Sequence, residues 1–182
     1  YKSIEIKKIN ETSAYTWIRM ILTEGKNKKI KISSLSGIFR YSIDMLPRVI
    51  DKALSNKIPM VSLFPNTPIA KKNNYGSEAL NENNLVCRAL KVIKKKYKNE
   101  IGLMTDVALD PYTSHGHDGI YHNHDVENDE TIKILVEQSI IQASSGCDVL
   151  APSDMMDGRI GKIRKALDTN GFKHVQILSY AV

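Results

Sequence analysis

Cysteine is scarce in this chain, and long apolar runs are absent. The two cysteines, Cys87 and Cys147, lie far apart and form no C-x-x-C pair, which is typical of a reduced, cytoplasmic setting. No apolar run approaches the ~20 residues that span a bilayer. The N-terminal residues YKSIEIKKINE lack the apolar segment of a secretory signal. We therefore predict a cytoplasmic protein without membrane contact.

The basic segments lack interleaved aromatic residues. The formal charge of +6 and the pI of about 9.2 raise the question of a nucleic-acid partner. The lysine-rich runs 26–31 and 91–98, however, do not have the alternating aromatics of a single-strand binding groove. We interpret them as a loop and the solvated face of a helix, and we predict no nucleic-acid partner. The heavy use of Lys, Ile and Asn fits an AT-rich bacterial genome, which would raise the pI without a functional cause.

Strands and helices are predicted to alternate along most of the chain, which at 182 residues suits one domain. Apolar runs predict strands at 20–22, 58–64, 101–108, 147–151 and 174–180, and helical periodicity predicts helices at 42–56, 84–98, 129–145 and 158–169. This alternation indicates βα units and a parallel α/β sheet, either open or the front part of a larger barrel. Since no G-x-G-x-x-G and no P-loop follows a strand, the pattern argues against a nucleotide-binding fold.

Polar residues gather directly after the predicted strands, where barrels and doubly wound sheets build their sites. Asp106 follows Thr105 in an otherwise apolar strand, and parallel strands seldom bury a carboxylate without a role. We favour a carboxylate that grips an ammonium group or assists proton transfer over one that only accepts hydrogen bonds from loop backbone.

The loop after Asp106 offers a second group of candidates. Asp110, His115, His117 and Asp118 could gather around a divalent cation, because carboxylate and imidazole suit Mg²⁺, Mn²⁺ or Zn²⁺. They could equally cap turns in a glycine-containing loop. The spacing alone leaves both interpretations open.

The segment after the next strand is APSDMMDGR, residues 151–159. Asp157 and, earlier in the chain, Asn128 are expected to cap helices. Met155 and Met156 are expected in the core, and Asn170 with its following glycine is expected to end the last helix.

Two stretches carry a family resemblance. DVALDPYTSHGHDG (106–119) and LAPSDMMDGRIGKIRKALD (150–168), the latter followed by GFKHVQILSY (171–180), resemble 5-aminolevulinate dehydratases, also called porphobilinogen synthases. Weaker matches occur in LTEG (22–25), SGIFRYSIDML (36–46), IPMVSLFPNTP (58–68) and GSEALNENNLVCRA (76–89).

The resemblance implies a TIM (β/α)8 barrel, of which about the first five βα units would lie in residues 20–182, and an N-terminal arm at 1–19 that clasps a neighbouring subunit, usually in a homo-octamer. It implies a lyase that condenses two molecules of 5-aminolevulinate into porphobilinogen, an early step of haem and other porphyrin synthesis. Each substrate would form a Schiff base with its own lysine.

The resemblance also assigns roles to individual residues. Asp106 and Ser153 match positions that hold the amino group of one substrate. Asp154 would be a third catalytic residue and would shape the same pocket. Tyr180 would contact the substrate. The three zinc-binding cysteines of zinc-dependent members correspond here to Ala108, Asp110 and Asp118. The resemblance is therefore to the aspartate-rich branch, which uses Mg²⁺, in some members with K⁺, and no catalytic zinc. Any ion at Asp110 and Asp118 would be oxygen-ligated.

The family's Schiff-base lysines would follow Val182, so we expect the chain on its own to be inactive. Lys162 and Lys165, on the last predicted helix, are expected to face solvent. We favour the N-terminal part of a larger enzyme of this family. Two alternatives remain open: a divalent-metal-dependent hydrolase built on the loop residues 110–118, and a non-catalytic fragment that acts as a binding or assembly module.

Overall fold

A seven-stranded sheet forms the centre of the protein, whose computed structural model describes residues 17–35 and 37–180. Its strands are β1 (Trp17–Leu22), β2 (Lys29–Lys31), β3 (Phe39–Tyr41), β4 (Met60–Pro65), β5 (Gly102–Val107), β8 (Val149–Pro152) and β9 (Gln176–Ile177). The short strands β6 (Tyr121–His122) and β7 (Asp125–Val126) form a separate hairpin. The helices are α1 (Leu46–Ser55), α2 (Leu85–Tyr97), α3 (Asn128–Ser144) and α4 (Arg159–Thr169).

The strand order is β2-β3-β1-β4-β5-β8-β9, and every neighbouring pair except β2–β3 is parallel. The five strands predicted at 20–22, 58–64, 101–108, 147–151 and 174–180 all form, which confirms the α/β class with a mostly parallel sheet. Of the predicted arm, residues 1–16 lie outside the described residues, and Trp17–Arg19 belong to β1. Within the described ranges, no helix is long and apolar enough to cross a bilayer.

The two faces of the sheet differ because side chains alternate along each strand. Leu63, Leu103 and Leu150 are fully buried in the large core that joins the sheet to the helices; we call this side the outer face. Met104 and Ala151 point the other way and form a small cluster on the side without helices, which we call the inner face. The residues that alternation and strand register place on the inner face include Arg19, Ile21, Arg40, Ser62, Phe64, Met104, Asp106, Val149, Ala151, Ser153 and Tyr180.

The prediction of a loop at 26–31 is wrong for its last three residues. Lys29–Lys31 form strand β2, which pairs antiparallel with β3 and has all three residues exposed. A three-residue strand is too short to show a period, and lysines are common on the open edge of a sheet, where they discourage pairing with other chains. The other lysine run was predicted correctly as the surface of a helix, α2.

Two residues that were predicted to cap helices, Asn128 and Asp157, do not cap them and instead bond to each other. Asn128 is the first residue of α3 rather than its cap, and Gly158, with φ 79°, precedes α4 where Asp157 was expected to cap. Asn128 and Asp157 instead bind each other: the Asp157 N–H donates to Asn128 Oδ1 at 2.8 Å. The contact ties together the starts of two neighbouring helices.

The methionine prediction is half right, and the predicted end of α4 is confirmed. Met156 is buried, but Met155 is 74% exposed because the loop turns its side chain outward. Asn170 is the C-cap residue of α4, and Gly171 follows with φ 84°, a conformation that glycine adopts without strain.

Candidate active site

The carboxyl ends of β5 and β8 bring Asp106 and Ser153 together on the inner face. Asp106 lies opposite Ala151 in the parallel register, so Ser153, two residues further along, points to the same side. Ser153 Oγ donates a hydrogen bond of 2.6 Å to Asp106 Oδ1. The sequence motifs that contain these residues are 47 positions apart, and the sheet makes them one polar site.

The electrostatic setting of Asp106 makes its carboxyl titrate close to neutral pH. Burial raises the pKa of Asp106 to about 6, the hydrogen bond from Ser153 opposes this rise, and the negative charge of Asp110 adds to it. The positive charge of Arg19 lowers the pKa of Asp106. A carboxylate in this state can receive an ammonium group or exchange a proton near neutral pH.

The backbone that carries Asp106 is held from the outer face by α3. Gln142 Nε2 donates to the carbonyl oxygen of Asp106 at 3.0 Å, and Gln142 Oε1 accepts from Thr105 Oγ1 at 2.9 Å. Thr105 Oγ1 also lies 3.0 Å from Cys147 Sγ. Gln142, Thr105 and Cys147 are all buried.

A proline in β4 explains why this support is needed. The β4–β5 ladder ends at the Leu63–Thr105 pair, and Pro65, two residues further along β4, has no N–H to donate. On the other side, where Val107 pairs with Pro152, the carbonyl oxygen of Val107 accepts from the Ser153 N–H at 3.3 Å instead. The amide of Gln142 therefore supplies a donor where the sheet runs out of them. Sequence reasoning missed this residue, although a glutamine on the buried face of a helix was a visible signal.

Asp154 is buried in the loop after β8, where its carboxylate braces the turn. Its Oδ1 accepts from the Met156 N–H at 2.9 Å, and its Oδ2 forms an ion pair with Arg159 Nε at 2.9 Å. Burial raises the pKa of Asp154, while the bond from Met156 and the charge of Arg159 oppose the rise. Its contacts hold the segment that presents Ser153.

Tyr180 lies on the inner face beyond β9 and packs against Met104, Val149 and Ala151. Its hydroxyl is buried and has no hydrogen-bond partner within the described residues. A buried hydroxyl without a partner is unfavourable, so this oxygen is suited to accept or donate a hydrogen bond when a ligand is present.

The loop between Asp106 and α3 holds its polar residues in local contacts. His117 Nδ1 lies 2.9 Å from Asp118 Oδ1, and the His117 ring stacks on Tyr121 at 5.9 Å between centroids. His115 Nε2 lies 3.2 Å from the carbonyl oxygen of Asn74. Partial burial and the charge of Asp118 raise the pKa of Asp110.

Comparison with known proteins decides the family. The family model "Delta-aminolevulinic acid dehydratase" matches residues 7–182. A protein of that name from Bradyrhizobium diazoefficiens is 49% identical over 162 residues, covering 89% of this chain and 46% of the relative. Another of that name, from Ruminiclostridium josui, is 42% identical over 171 residues, covering 94% of this chain and 82% of the relative.

This chain belongs to the delta-aminolevulinic acid dehydratase family. A crystal structure of the Toxoplasma gondii dehydratase, in complex with its reaction product porphobilinogen, superposes with a TM-score of 0.87 at 34% identity; the match covers 96% of this chain and 50% of that one. The match confirms that the sheet corresponds to part of a TIM barrel. The chain spans about half the length of most of the relatives described here.

The polar residues of the loop 110–118 form only a partial metal site. No group of three or more His, Cys, Asp or Glu within residues 17–35 and 37–180 is placed to hold a metal ion. The four-ligand cluster on which the hydrolase alternative depended therefore does not form in this part of the chain. Asp110 and Asp118 interact electrostatically and offer only oxygen donors. Such a pair suits a hard cation that keeps most of its waters, and it does not suit zinc, which favours nitrogen and sulfur.

The strands that carry the candidate site of this dehydratase-family chain contain no lysine among the described residues. These strands are β1, β4, β5, β8 and β9. Lys162 and Lys165 are exposed on α4, as predicted, and Lys162 lies 3.9 Å from Asp129 in a surface ion pair.

Proposed function

We propose that this chain works in a porphobilinogen synthase, which condenses two molecules of 5-aminolevulinate into porphobilinogen during tetrapyrrole synthesis. The observation that carries the proposal is the Asp106–Ser153 pair on the inner face. It combines a carboxylate with a pKa of about 6 and an oriented hydroxyl at the carboxyl ends of parallel barrel strands.

In this proposal Asp106 receives the ammonium group of one substrate. An ammonium beside the carboxylate stabilises its charged form, so binding lowers the pKa of Asp106 and keeps it ionised. Ser153 Oγ fixes the rotamer of that carboxylate, and the free hydroxyl of Tyr180 bonds to the polar body of the substrate. Asp154 maintains the loop that carries Ser153 rather than contacting substrate.

The Schiff-base amines of the proposed reaction come from lysines outside the described residues. Each would attack a substrate ketone as the neutral amine, which requires a lowered lysine pKa in an apolar or cationic setting. The chain alone is accordingly expected to bind substrate through Asp106 without turning it over.

Borohydride trapping tests the proposal on the protein purified from its source. Incubation with 5-aminolevulinate and reduction should add one reduced substrate to the intact mass, and Asp106→Asn should weaken this labelling. Asp125→Asn, in the exposed β6–β7 hairpin, is the matched control. A protein that forms neither adduct nor porphobilinogen under saturating substrate would contradict the assignment.

The finer properties that the family resemblance implies are also proposals. Asp110 and Asp118 would hold Mg²⁺ mainly through waters, in some conditions with K⁺ nearby, and the assembly would be a cytoplasmic homo-octamer. We expect Mg²⁺ to raise the melting temperature of the protein and the double substitution Asp110→Asn with Asp118→Asn to abolish that rise. Light scattering of the purified protein tests the octamer.

A further inference from the structure

Two neighbouring lysines in the connection after β4 have different partners. Lys71 forms ion pairs with Glu24 at 3.3 Å and with Glu78 at 3.0 Å, so its charge is compensated by carboxylates. Lys72 is partly buried, and its Nζ donates to the carbonyl oxygen of Asp110 at 3.3 Å. Lys72 therefore reaches from the connection after β4 to the loop after β5 and brings a positive charge to it.

The backbone next to Lys72 is bonded to the same loop. A short parallel bridge begins at Asn73, whose N–H donates to the carbonyl oxygen of Tyr112 at 3.3 Å and whose carbonyl oxygen accepts from the Ser114 N–H at 3.0 Å. One residue further on, Asn74 Oδ1 accepts from Ser114 Oγ at 2.6 Å. The ammonium group of Lys72 is therefore carried by a backbone that already lies against the loop.

The loop after β5 needs a positive charge because it brings carboxylates together. Burial raises the pKa of Asp110, the negative charge of Asp118 adds to this rise, and the positive charge of Lys72 opposes it. Asp110 also acts on Asp106: burial raises the pKa of Asp106, and the charge of Asp110 adds to that rise. The carboxylates of the loop therefore repel each other, and Lys72 offsets part of the repulsion.

We infer that Lys72 is a positioning residue, the resident counter-cation of Asp110 and Asp118, whose charge holds their loop in place while no metal ion is bound. A divalent cation at these carboxylates would compensate them more strongly and would be repelled by the ammonium of Lys72. The lysine and the metal ion therefore oppose each other, and Lys72 sets how much Mg²⁺ the loop requires. The part of this inference that concerns the metal rests on the proposed function, whereas the part that concerns the metal-free loop does not.

Hydrogen exchange of the loop amides measures how well the loop is held. Peptides that cover residues 109–118 are followed by mass spectrometry in metal-free buffer at low salt, and peptides from α4 report global unfolding in the same sample. The variants are Lys72→Met, which removes the charge, and Lys72→Arg, which keeps it. Lys95→Met, which removes an exposed ammonium from α2, is the matched control.

Lys72→Met should speed exchange of the loop about fivefold or more in the metal-free protein, while exchange of α4 stays unchanged. Lys72→Arg and Lys95→Met should exchange like the wild type. Added salt should slow exchange of the loop in Lys72→Met, because screening weakens the repulsion between the carboxylates. If Lys72 served packing alone, the exchange of this variant would not respond to salt.

A magnesium titration at low salt tests the opposition between the lysine and the metal ion. The MgCl₂ concentration that half-protects the loop from exchange should be about five- to tenfold lower in Lys72→Met than in the wild type, since the divalent ion no longer meets the charge of Lys72. Lys72→Arg should require as much Mg²⁺ as the wild type. The measured quantity is the exchange rate of the loop, so the result does not depend on enzymatic activity.

Equal exchange of the metal-free loop in wild type and Lys72→Met would overturn the inference. Exchange in Lys72→Arg as fast as in Lys72→Met would overturn it as well, since the charge would then not matter, and so would a Mg²⁺ requirement that is higher in Lys72→Met than in the wild type. The proposed magnesium site fails separately: Mg²⁺ at tens of millimolar would then protect the loop in neither protein, while the metal-free difference between them would still support the counter-cation.

Discussion

The two faces of the central sheet differ in how far their buried polar groups are hydrogen-bonded. On the outer face, Thr105, Gln142 and Cys147 bond to one another and to the backbone, and the main exception is the Oε1 atom of Gln138. On the inner face, Ser62 Oγ and the Tyr180 hydroxyl are buried without a partner in the described part of the chain. Within the described residues, the outer face therefore satisfies most of its buried polar groups, whereas the inner face has hydrogen-bonding capacity left for a ligand.

Removing the charge of Asp106 should have the largest effect on function. Asp106→Asn keeps the side-chain shape but leaves no anion for the substrate ammonium. We expect the rate of porphobilinogen formation to fall by about 10²-fold or more. The rate is measured on the whole enzyme with Asp125→Asn as control, and an unchanged rate would remove Asp106 from the site.

The same substitution should raise stability at neutral pH. The folded-state pKa of Asp106, about 6, lies above the ordinary aspartate value of 3.8, so the folded state binds the proton more tightly than the unfolded chain. The wild type therefore loses stability as pH rises from about 4 through 6, by an amount that reaches at most about 3 kcal/mol above pH 7.

Asp106→Asn should remove this loss. Urea unfolding is expected to show the variant more stable than wild type at pH 7.5, with the difference shrinking toward zero below about pH 4. A pH-independent difference would show that the carboxyl of Asp106 is not the titrating group.

Breaking the support on the outer face should reduce stability. Gln142→Leu leaves the Asp106 carbonyl without its donor and Thr105 Oγ1 without its acceptor, both in a buried setting. We expect a loss of about 2–3 kcal/mol in the free energy of unfolding. Glu137→Leu, at an exposed position of the same helix, is the control and should change stability by less than about 0.5 kcal/mol.

The smallest change in stability is expected at Ser62. Whether stability rises or falls tests the difference between the two faces of the sheet. Ser62 is fully buried on the inner face, and its hydroxyl has no partner among residues 17–35 and 37–180. Ser62→Ala should therefore raise the free energy of unfolding, by about 1 kcal/mol. A clear loss of stability would mean that the hydroxyl is already satisfied in the free protein.

Much of the fold could be predicted from the sequence, because it depends on long local patterns. The apolar runs of β4, β5 and β8 and the helical spacing of α2 each extend over enough residues to show a period. Strands β2 and β3 have three residues each and form only through pairing, so no local pattern could reveal them.

The site could be predicted where a residue type conflicts with its surroundings. Asp106 was such a case, a carboxylate in an apolar strand. The effect of Arg19 on the pKa of Asp106 could not be seen, because it depends on which strand neighbours which. The role of Gln142 likewise depends on a proline in the adjacent strand β4, far away in sequence.

The bond between Asn128 and Asp157 has a mechanical consequence. One of these residues begins the helix that follows the Asp110–Asp118 loop, and the other ends the loop that starts at Ser153. Since the two loops are anchored to each other at their far ends, neither can shift without pulling on the other. A displacement at the start of one of these helices would therefore be passed to the start of the other.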